Sequence, residues 1–140
     1  MPISKEKLIE LLNKDLGLEY TAIVQYVQHS GVMTGAAYGD IIKELKIHAT
    51  EELQHALILA DQINFLDGMP TAEVPSAKTS PDNQKMLEQD LEGEEDAIAR
   101  YKQRIIQAEE LLELALAQKL REILGIEQEH AMDLKQALGR

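Results

Sequence analysis

Hydrophobic residues recur every three or four positions through most of the chain, which is the spacing of one face of an α-helix. The first such stripe consists of Leu8, Leu12, Leu16, Ile23 and Val27. Ser4 stands just before this stripe and can cap a helix, and the glycine-rich stretch 31–39 predicts a turn after it. The first predicted helix therefore begins near Ser4 and ends near Ser30.

The second predicted helix begins at Asp40, which can cap it, and ends at Asp67-Gly68. Its apolar face carries Ile41, Leu45, Leu59 and Ile63. Segment 67–80 then contains two prolines and several serines and threonines, and it has no helical period. Fully extended, such a linker reaches about 45 Å, which is close to the length of a helix of about 26 residues. It can therefore cross the full length of a helical bundle.

The third predicted helix opens with Ser80-Pro81-Asp82, a cap residue followed by a proline in the first turn. The helical pattern then continues to Gly139, and no glycine or proline marks a second hairpin turn. By symmetry with the first half, we place this turn between Ile106 and Leu114. The sequence thus predicts an all-α four-helix bundle in a single domain, residues 1–140, built from two antiparallel hairpins joined by a long crossover.

The two halves of the chain repeat one another at a spacing of 75 residues. Glu19-x-x-Ala22-Ile23-x-x-Tyr26 corresponds to Glu94-x-x-Ala97-Ile98-x-x-Tyr101, and Glu52-x-x-His55 corresponds to Glu127-x-x-His130. Asp15-Leu16 likewise corresponds to Asp90-Leu91. Two related hairpins are expected to pack around a pseudo-two-fold axis.

Each predicted helix carries a glutamate in the middle of its own apolar stripe, and two helices add a histidine one turn further on. These six residues are Glu19, Glu52, His55, Glu94, Glu127 and His130. Buried carboxylates are costly unless they are compensated, and no lysine or arginine lies in the stripes to compensate them. Two divalent cations would cancel four carboxylates, and the imidazoles would complete the ligation. We therefore expect a di-metal centre of iron or manganese, with Glu19 and Glu94 bridging both ions.

The net charge of −11 disfavours nucleic acid as a partner, because the phosphate backbone is also negative. The chain has no cysteine, which excludes disulfides, thiolate zinc sites and iron–sulfur clusters. No apolar run is long enough for a signal peptide or a membrane span. We therefore expect a cytoplasmic protein without a nucleic-acid or membrane partner.

Residues close to the six predicted ligands allow more than one role. His48 lies one turn before Glu52 and is either a further ligand or a polar residue at the edge of the bundle. His29 is predicted to be a capping or exposed histidine, and Glu51 to be a solvated charge. Tyr26 and Tyr101 each follow a predicted ligand by seven residues and can donate a hydrogen bond to a carboxylate on a neighbouring helix. Tyr26 has a second possible role, as a catalytic electron donor during oxygen reduction.

These residues and their spacing resemble the ferritin-like superfamily, and bacterioferritin in particular, from about Leu11 to Ala137. The resemblance rests on three segments: the Leu-x-x-Glu-x-x-Ala-Ile-x-Gln-Tyr stretch ending at Tyr26, the Glu-Leu-Gln-His-Ala segment 52–56, and the Phe-Leu-Asp-Gly-Met-Pro turn 65–70. It implies that the six residues bind a di-iron ferroxidase centre. Such a centre would oxidise Fe²⁺ to Fe³⁺ with oxygen or peroxide, for iron storage or detoxification.

Two features differ from the bacterioferritin pattern. Bacterioferritins bind haem between subunits through a methionine placed directly after the glutamate of the first Glu-x-x-His motif. Leu53 occupies that position here, so we expect no haem and assign Leu53 to a dry dimer interface. The family also has a short fifth helix that helps to line the four-fold axes of its 24-subunit shell, whereas this sequence ends at Arg140. We therefore expect a homo-oligomer that is at least a dimer.

The resemblance leaves three functions to compare. The first is a di-iron ferroxidase that oxidises Fe²⁺ with oxygen or peroxide. The alternative is a di-iron or di-manganese enzyme of rubrerythrin or manganese-catalase type that reduces peroxide, although rubrerythrins usually append a four-cysteine iron domain. The third is a catalytically silent bundle that buffers metal. The stoichiometry of Fe²⁺ oxidation separates the first two, and a steady-state turnover assay separates both from the third.

Overall fold

A computed structural model of the protein describes residues 2–140 and contains four long α-helices. They are α1 (Lys5–Val32), α2 (Gly39–Phe65), α3 (Asn83–Glu110) and α4 (Leu114–Ala137), with a 3₁₀ turn at Ala36–Tyr38. Helices α1 and α2 form one hairpin and α3 and α4 form the other, and segment 66–82 joins them without regular secondary structure. The predicted all-α bundle of two hairpins and a crossover is confirmed.

The helix ends follow local capping rules, with two corrections to the predicted boundaries. Ser4 Oγ accepts from the backbone N–H of Lys7, so the first cap is as predicted. The prediction that Asp40 caps α2 is wrong, because α2 already begins at Gly39 and Asp40 lies in its first turn. Pro81 does not lie in the first turn of α3, because Asp82 is the residue that caps this helix, through the N–H of Lys85.

Two helices, α2 and α3, are each followed by a non-glycine residue with left-handed backbone angles. The turn between α3 and α4 spans 111–113, as predicted, and uses Leu112 at φ 59° in place of a glycine. After α2 the left-handed residue is Asp67, at φ 69°. Gly68 is needed there for space, because an added Cβ would lie 2.6 Å from Cγ2 of Ile9.

The hydrophobic core forms two clusters, with the polar centre of the bundle between them. The larger cluster includes Leu8, Leu12, Leu59 and Leu120, and the smaller one includes Leu45, Met86, Leu87 and Leu134. Val27 was predicted on the core stripe but is 57% exposed, because the stripe rotates away from the core as it approaches the end of α1.

Polar contacts hold the crossover against α1 over most of its length. Asn13 bonds to the backbone of both Met69 and Thr71, and the Tyr20 hydroxyl donates to the carbonyl of Thr71. Thr21 donates to the carbonyl of Pro75 further along. The crossover is thereby fixed beside the same helix that supplies Glu19. Within residues 2–140, no helix is long and apolar enough to cross a membrane.

Candidate metal centre

The structure brings the six predicted ligands together at the middle of the bundle, one carboxylate from each helix. All six side chains are buried, with exposed fractions of 4% or less. A regular helix turn places Glu52 and His55, three residues apart, on one face of α2, and it does the same for Glu127 and His130 on α4. Four helices thus direct their polar stripe residues at one point.

The two histidines approach the carboxylates through the same ring nitrogen. His55 Nδ1 lies 3.1 Å from Glu52 Oε1, 3.4 Å from Glu127 Oε1 and 3.6 Å from Glu19 Oε2. His130 Nδ1 lies 3.3 Å from Glu127 Oε1, 3.4 Å from Glu94 Oε1 and 3.6 Å from Glu52 Oε1. The arrangement around one histidine repeats around the other, as the internal repeat requires.

The ligand atoms fall into two groups that share two carboxylates. One group is Glu19, Glu52, His55 and Glu127, and the other is Glu52, Glu94, Glu127 and His130. Within each group the ligand atoms lie within 4.8 Å of one another. The prediction that Glu19 and Glu94 bridge the ions is wrong, because each belongs to one group only. Glu52 and Glu127, from the second helix of each hairpin, occupy the shared positions.

A second observation, independent of the distances between ligand atoms, also indicates that the six residues can bind a pair of metal ions. Each of the six residues has one buried atom without a hydrogen-bond partner in the described part of the chain. These atoms are Glu19 Oε2, Glu52 Oε1, His55 Nδ1, Glu94 Oε2, Glu127 Oε1 and His130 Nδ1. Buried polar atoms are ordinarily satisfied, and cations ligated by these oxygens and nitrogens would satisfy all six. The two groups are therefore able to hold two metal ions.

Burial and mutual repulsion disturb the ionisation of the carboxylates. Burial, reinforced by the nearby charge of Glu127, raises the pKa of Glu19 to about 7 and that of Glu94 to about 8. Burial and the charge of Glu19 also raise the pKa of Glu52 well above its ordinary value. Burial would raise the pKa of Glu127 too, but the adjacent imidazoles of His130 and His55 hold it far below its usual range.

The histidines respond in the opposite sense. Burial alone would lower their pKa values, but the close carboxylates of Glu127 and Glu19 outweigh it and raise the pKa of His55 to about 9. The close carboxylates of Glu127 and Glu94 likewise outweigh burial and raise the pKa of His130 to about 11. Without metal, protons therefore take up the role of cations in the centre, and metal binding has to displace them.

Two tyrosines support the carboxylates that belong to a single group. The hydroxyl of Tyr26 on α1 donates to Glu94 Oε1 at 2.8 Å, and the hydroxyl of Tyr101 on α3 donates to Glu19 Oε1 at 2.6 Å. Both hydrogen bonds are buried, as the sequence predicted. In each case Oε2, the other carboxylate oxygen, is the one without a partner. Each tyrosine thus fixes one oxygen and leaves the other available as a ligand.

A pair of buried aspartate networks beside the centre was not recognised in the sequence. Asp15 Oδ2 accepts from Arg104 Nε at 2.7 Å, and Asp15 Oδ1 accepts from Arg100 Nη1 at 2.6 Å. Arg100 and Arg104 pair with Asp15 and form no ion pair with any of the six ligands. They therefore do not compensate the ligand carboxylates. The internal repeat, which aligns Asp15 with Asp90, was the signal that pointed to this network.

The matching network on the other hairpin corrects the assignment of His29. This histidine is fully buried, with Nδ1 2.9 Å from Asp90 Oδ2 and Nε2 2.9 Å from the carbonyl oxygen of Lys78. Gln25 also donates to Asp90, at 2.9 Å. His29 is therefore neither a cap nor an exposed residue. It ties α1 to α3 and to the crossover.

Two residues next to the ligands on α2 also have defined partners. Glu51 was predicted to be a solvated charge, but its Oε1 accepts from His130 Nε2 at 3.1 Å. This contact fixes the ring so that Nδ1 faces the carboxylates. His48 is 1% exposed, donates from Nε2 to Asp133 Oδ2 at 3.0 Å, and stacks on His130 at 3.9 Å between ring centroids.

A cavity of about 90 Å³ lies beside the centre, between α1 and α3. Its walls include Glu19, Glu94 and Tyr26, together with the small residues Ala22 and Gly93. An added Cβ at Gly93 would meet no atom within 4 Å, so this position leaves free space. The cavity is large enough for water or a diatomic molecule next to the ligands.

Comparison with known proteins agrees with this geometry. Residues 9–140 match the ferritin family, described as a ferritin-like domain. Bacterioferritin of Brucella melitensis biotype 1 is 34% identical over 125 residues, which cover 89% of this chain and 78% of that protein. Bacterioferritin of Mycobacterium leprae is 30% identical over 124 residues, which cover 88% of this chain and 78% of that protein.

Two solved structures have the same fold over nearly the whole chain. One is described as ferritin-like, diiron-carboxylate proteins from Bacillus anthracis strain Ames, with a TM-score of 0.93, 33% identity and 99% of both chains covered. The other is described as a dodecameric thioferritin, the bacterioferritin-related protein of Bacteroides fragilis, with a TM-score of 0.91 and 29% identity, covering 99% of this chain and 88% of that one. The chain belongs to the ferritin-like family, as a four-helix bundle with a buried glutamate–histidine site.

Proposed function

We propose that this protein is a ferroxidase, which binds two Fe²⁺ ions at the six clustered residues and oxidises them to Fe³⁺ with oxygen or peroxide. The observation that carries the proposal is the set of six buried ligand atoms, one on each residue, that have no hydrogen-bond partner in the described chain. Similarity to bacterioferritins over most of the chain supports iron as the substrate. Manganese, which accepts the same oxygen and nitrogen ligands, is the other metal to be tested.

The protein's own residues would hold the two substrate ions close together and keep their ligands in place. Glu52 and Glu127 would be shared between the ions, while Glu19 with His55 and Glu94 with His130 would each serve one ion. Two Fe²⁺ ions supply two electrons, so that oxygen with two protons becomes hydrogen peroxide, or peroxide with two protons becomes water. The protons that metal displaces from the centre are released beside this reaction.

Tyr26 is the residue that we propose as the catalytic electron donor. It would supply the second electron to peroxide where only one Fe²⁺ is available, with its phenol proton passing to Glu94. A further Fe²⁺ would then reduce the tyrosyl radical. Tyr26 donates a hydrogen bond to Glu94 and lies with its ring edge against His48, at 5.1 Å between ring centroids, and 6.2 Å from His130. It therefore contacts a ligand directly. The related Tyr101 holds Glu19 in the same way and is the matched comparison.

The test of the ferroxidase function is the stoichiometry of Fe²⁺ oxidised per oxygen or peroxide consumed, measured on metal-free protein mixed with Fe²⁺. The proposal predicts two Fe²⁺ per peroxide and a rate well above that of Fe²⁺ in buffer. The alternative, an enzyme that reduces peroxide, predicts instead that protein preloaded with iron or manganese removes many equivalents of peroxide without added Fe²⁺. Steady peroxide removal of that kind, with slow Fe²⁺ oxidation, would overturn the ferroxidase assignment.

We also propose that the protein acts as a homo-oligomer, at least a dimer, in iron storage or detoxification. Leu53 on α2 is 48% exposed, and Leu57, one turn further on, is 53% exposed. Apolar residues of this size on one helix face favour contact with another subunit. The related protein of Bacteroides fragilis is described as dodecameric. Light scattering should give a mass at least twice the 15.7 kDa of one chain, and a monomer at micromolar concentration would contradict the proposal.

A further inference from the structure

The two buried aspartates beside the metal centre occupy corresponding positions of the repeat, but their partners differ in chemistry. Asp15 on α1 pairs with two arginines of α3. At the spacing of 75 residues, these arginines correspond to Gln25 and His29 of α1, which are the partners of Asp90 on α3. An arginine keeps its protons in a protein, whereas a histidine can release one near neutral pH. Of the two networks, the one around Asp90 is therefore the one that can exchange a proton.

The contacts of His29 require one proton to lie between its ring and Asp90. Nε2 is 2.9 Å from the carbonyl oxygen of Lys78, and because a carbonyl only accepts, Nε2 carries a hydrogen. Nδ1 is 2.9 Å from Asp90 Oδ2, so a further proton has to lie between these two atoms. This proton belongs either to an imidazolium beside a carboxylate or to a carboxylic acid beside a neutral imidazole. His29 and Asp90 thus share one proton.

Gln25 holds Asp90 in place for this exchange. Its Oε1 accepts from the backbone N–H of Lys78 at 2.9 Å, which fixes the orientation of the amide. Its Nε2 therefore faces Asp90 and donates to Oδ1 at 2.9 Å. Oδ2 remains for the shared proton. Both partners are buried, with His29 0% and Asp90 3% exposed, so the shared proton is separated from bulk solvent.

Asp90 also lines the cavity beside the metal centre. The same cavity is lined by Glu94, one turn further along α3, and by Glu19 and Tyr26 of α1. Its volume of about 90 Å³ has room for water, which can carry a proton between Asp90 and the ligand carboxylates. The other charged or titratable side chains that face Asp90 across the cavity are Glu52, Asp96, Arg100 and Glu127.

The ionisation of both partners favours retention of the shared proton. Burial would lower the pKa of His29, but the hydrogen bond to Asp90 outweighs burial and raises this pKa from 6.5. Burial also raises the pKa of Asp90, and the hydrogen bond to His29 opposes this only in part. The pair therefore holds its proton near neutral pH, next to a cavity that adjoins the ligands.

We propose that His29 and Asp90 form a proton-donor pair for the reduction of oxygen or peroxide at the metal centre. The inference rests on the proposed ferroxidase function. Oxidation of two Fe²⁺ to two Fe³⁺ takes up two protons, whether oxygen becomes hydrogen peroxide or peroxide becomes two waters. One proton passes from His29 Nδ1 to Asp90 Oδ2 and then through cavity water to the reduced oxygen atom.

The metal centre supplies the other proton and reloads the pair. Binding of Fe²⁺ displaces protons from the buried ligands, and one of these completes the reduction. A proton displaced by the next Fe²⁺ ions returns through the cavity to Asp90 and His29. The pair thus keeps protons beside the reaction that would otherwise leave for solvent.

Asp90→Asn tests the pair, because an amide can keep hydrogen bonds to Gln25 and His29 but cannot carry the shared proton. With saturating Fe²⁺ at slightly alkaline pH, this variant should lower the initial rate of Fe²⁺ oxidation roughly 10-fold. Asp96→Asn is the matched control, because Asp96 lines the same cavity but is 61% exposed and pairs with Arg100. It should oxidise Fe²⁺ at the rate of the unaltered protein.

The pH profile of the rate separates proton donation from a structural role. Solvent replaces the pair as a proton source more readily in acid, so the deficit of Asp90→Asn should shrink as pH falls from about 8 to about 6. His29→Gln is a second variant that removes the shared proton, and it should show the same dependence. The double variant should be no slower than either single variant, because the two residues act as one unit. Circular dichroism should show all three to be as helical as the unaltered protein.

Failure of this inference can be distinguished from failure of the ferroxidase function. Equal rates in the unaltered protein, Asp90→Asn and His29→Gln would overturn the role of the pair and leave the ferroxidase function standing. A deficit of the same size at every pH would also overturn it, since loss of the contact between α1 and α3 would produce that result. Absence of a fast phase in the unaltered protein would overturn the ferroxidase function, and this inference with it.

Discussion

Glu19 and Glu94, which each belong to one ligand group only, both accept a hydrogen bond from a tyrosine of the opposite hairpin. The two shared glutamates have no such tyrosine. Tyr26 fixes Glu94 and Tyr101 fixes Glu19, in both cases through one oxygen only. The shared residues, Glu52 and Glu127, instead face both histidines. A shared carboxylate and a single-group carboxylate should therefore respond differently to the same substitution.

Glu127→Gln should prevent both ions of the pair from binding tightly, whereas Glu19→Gln should weaken only the ion beside His55. The reason is that Glu127 contributes to both groups and Glu19 to one. Anomalous diffraction from crystals containing Mn²⁺ would locate the remaining ions. Both variants should stay folded, since each removes one of several buried carboxylates that repel one another. Full occupancy of either position in Glu127→Gln would contradict the assignment of shared residues.

Tyr26→Phe should slow Fe²⁺ oxidation about tenfold, which corresponds to about 1.4 kcal/mol in the barrier. Tyr101→Phe is the matched variant, because it removes the equivalent hydrogen bond from Glu19. If the tyrosines only position carboxylates, the two variants should be slowed equally. If Tyr26 donates an electron, its variant should be slower. Electron paramagnetic resonance should then show a tyrosyl radical in the unaltered protein during oxidation and none in Tyr26→Phe.

At the scale of helices, the apolar period was sufficient to locate all four elements, and the repeat was sufficient to place the second hairpin turn. The Ser4 cap of α1 was predicted, but the starts of α2 and α3 were not. Gly39 and Asp40, or Ser80 and Asp82, are both acceptable helix starts in isolation. The turn at Leu112 had no sequence signal, since its left-handed backbone does not use glycine. The packing of the two hairpins decides which glutamates are shared between the two ligand groups. The hydrophobic period of the sequence carries no information on this packing.

The buried aspartates were also beyond the reach of a local pattern, because their partners lie on another helix and far away in sequence. Asp15 and Arg104 are 89 residues apart, and Asp90 and His29 are 61 apart. Each aspartate connects α1 with α3, the two helices that belong to different hairpins. These contacts, rather than the short turns, join the two halves of the bundle near the centre.

Asp15→Asn should destabilise the protein by about 3 kcal/mol, because it leaves the guanidinium of Arg104 buried without its carboxylate. Chemical denaturation of the metal-free protein would measure the loss. Asp96→Asn is the matched control: Asp96 pairs with Arg100, but its side chain is 61% exposed. That substitution should cost less than about 1 kcal/mol. If the two variants lose similar free energies of unfolding, the buried Asp15 network stabilises the protein no more than the exposed ion pair does.

Considered as a whole, the molecule is nearly symmetric in its ligands and asymmetric around them. The six ligands, the two tyrosines and the two aspartates all obey the repeat of 75 residues. Beyond them, one side of the centre carries Glu44, His48 and Asp133, and the other carries Lys119, Ile123 and Ile58 at the corresponding positions. The concentration of carboxylates at the centre also links the stability of the entire bundle to pH and to metal.

Metal-free protein should lose stability as pH rises from about 5 to about 9. The pKa values of Glu19 and Glu94 are raised from 4.5 to about 7 and about 8, so the stability associated with their protonated forms is lost through that range. The raised pKa of His55 acts in the same direction, from 6.5 up to about 9. Glu127, with a lowered pKa, contributes stability above 4.5 that is lost only in acid.

Denaturation midpoints of metal-free and Mn²⁺-loaded protein at several pH values would test this dependence. The free energy of unfolding of the metal-free form should fall by more than about 2 kcal/mol across the range. Mn²⁺ should reverse the trend, because metal binding requires the deprotonated ligands and strengthens as pH rises. A metal-free protein that is as stable at pH 9 as at pH 5 would be inconsistent with four clustered carboxylates.

The most direct test of the di-metal ferroxidase centre is rapid mixing of metal-free protein with increasing Fe²⁺ in the presence of oxygen, followed by absorbance of the Fe³⁺ formed. The amplitude of the fast phase should rise linearly and saturate at two Fe²⁺ per chain, and Glu127→Gln should abolish it. Saturation at a different number, or a fast phase that persists unchanged in Glu127→Gln, would contradict the assignment of these six residues as the site of iron oxidation.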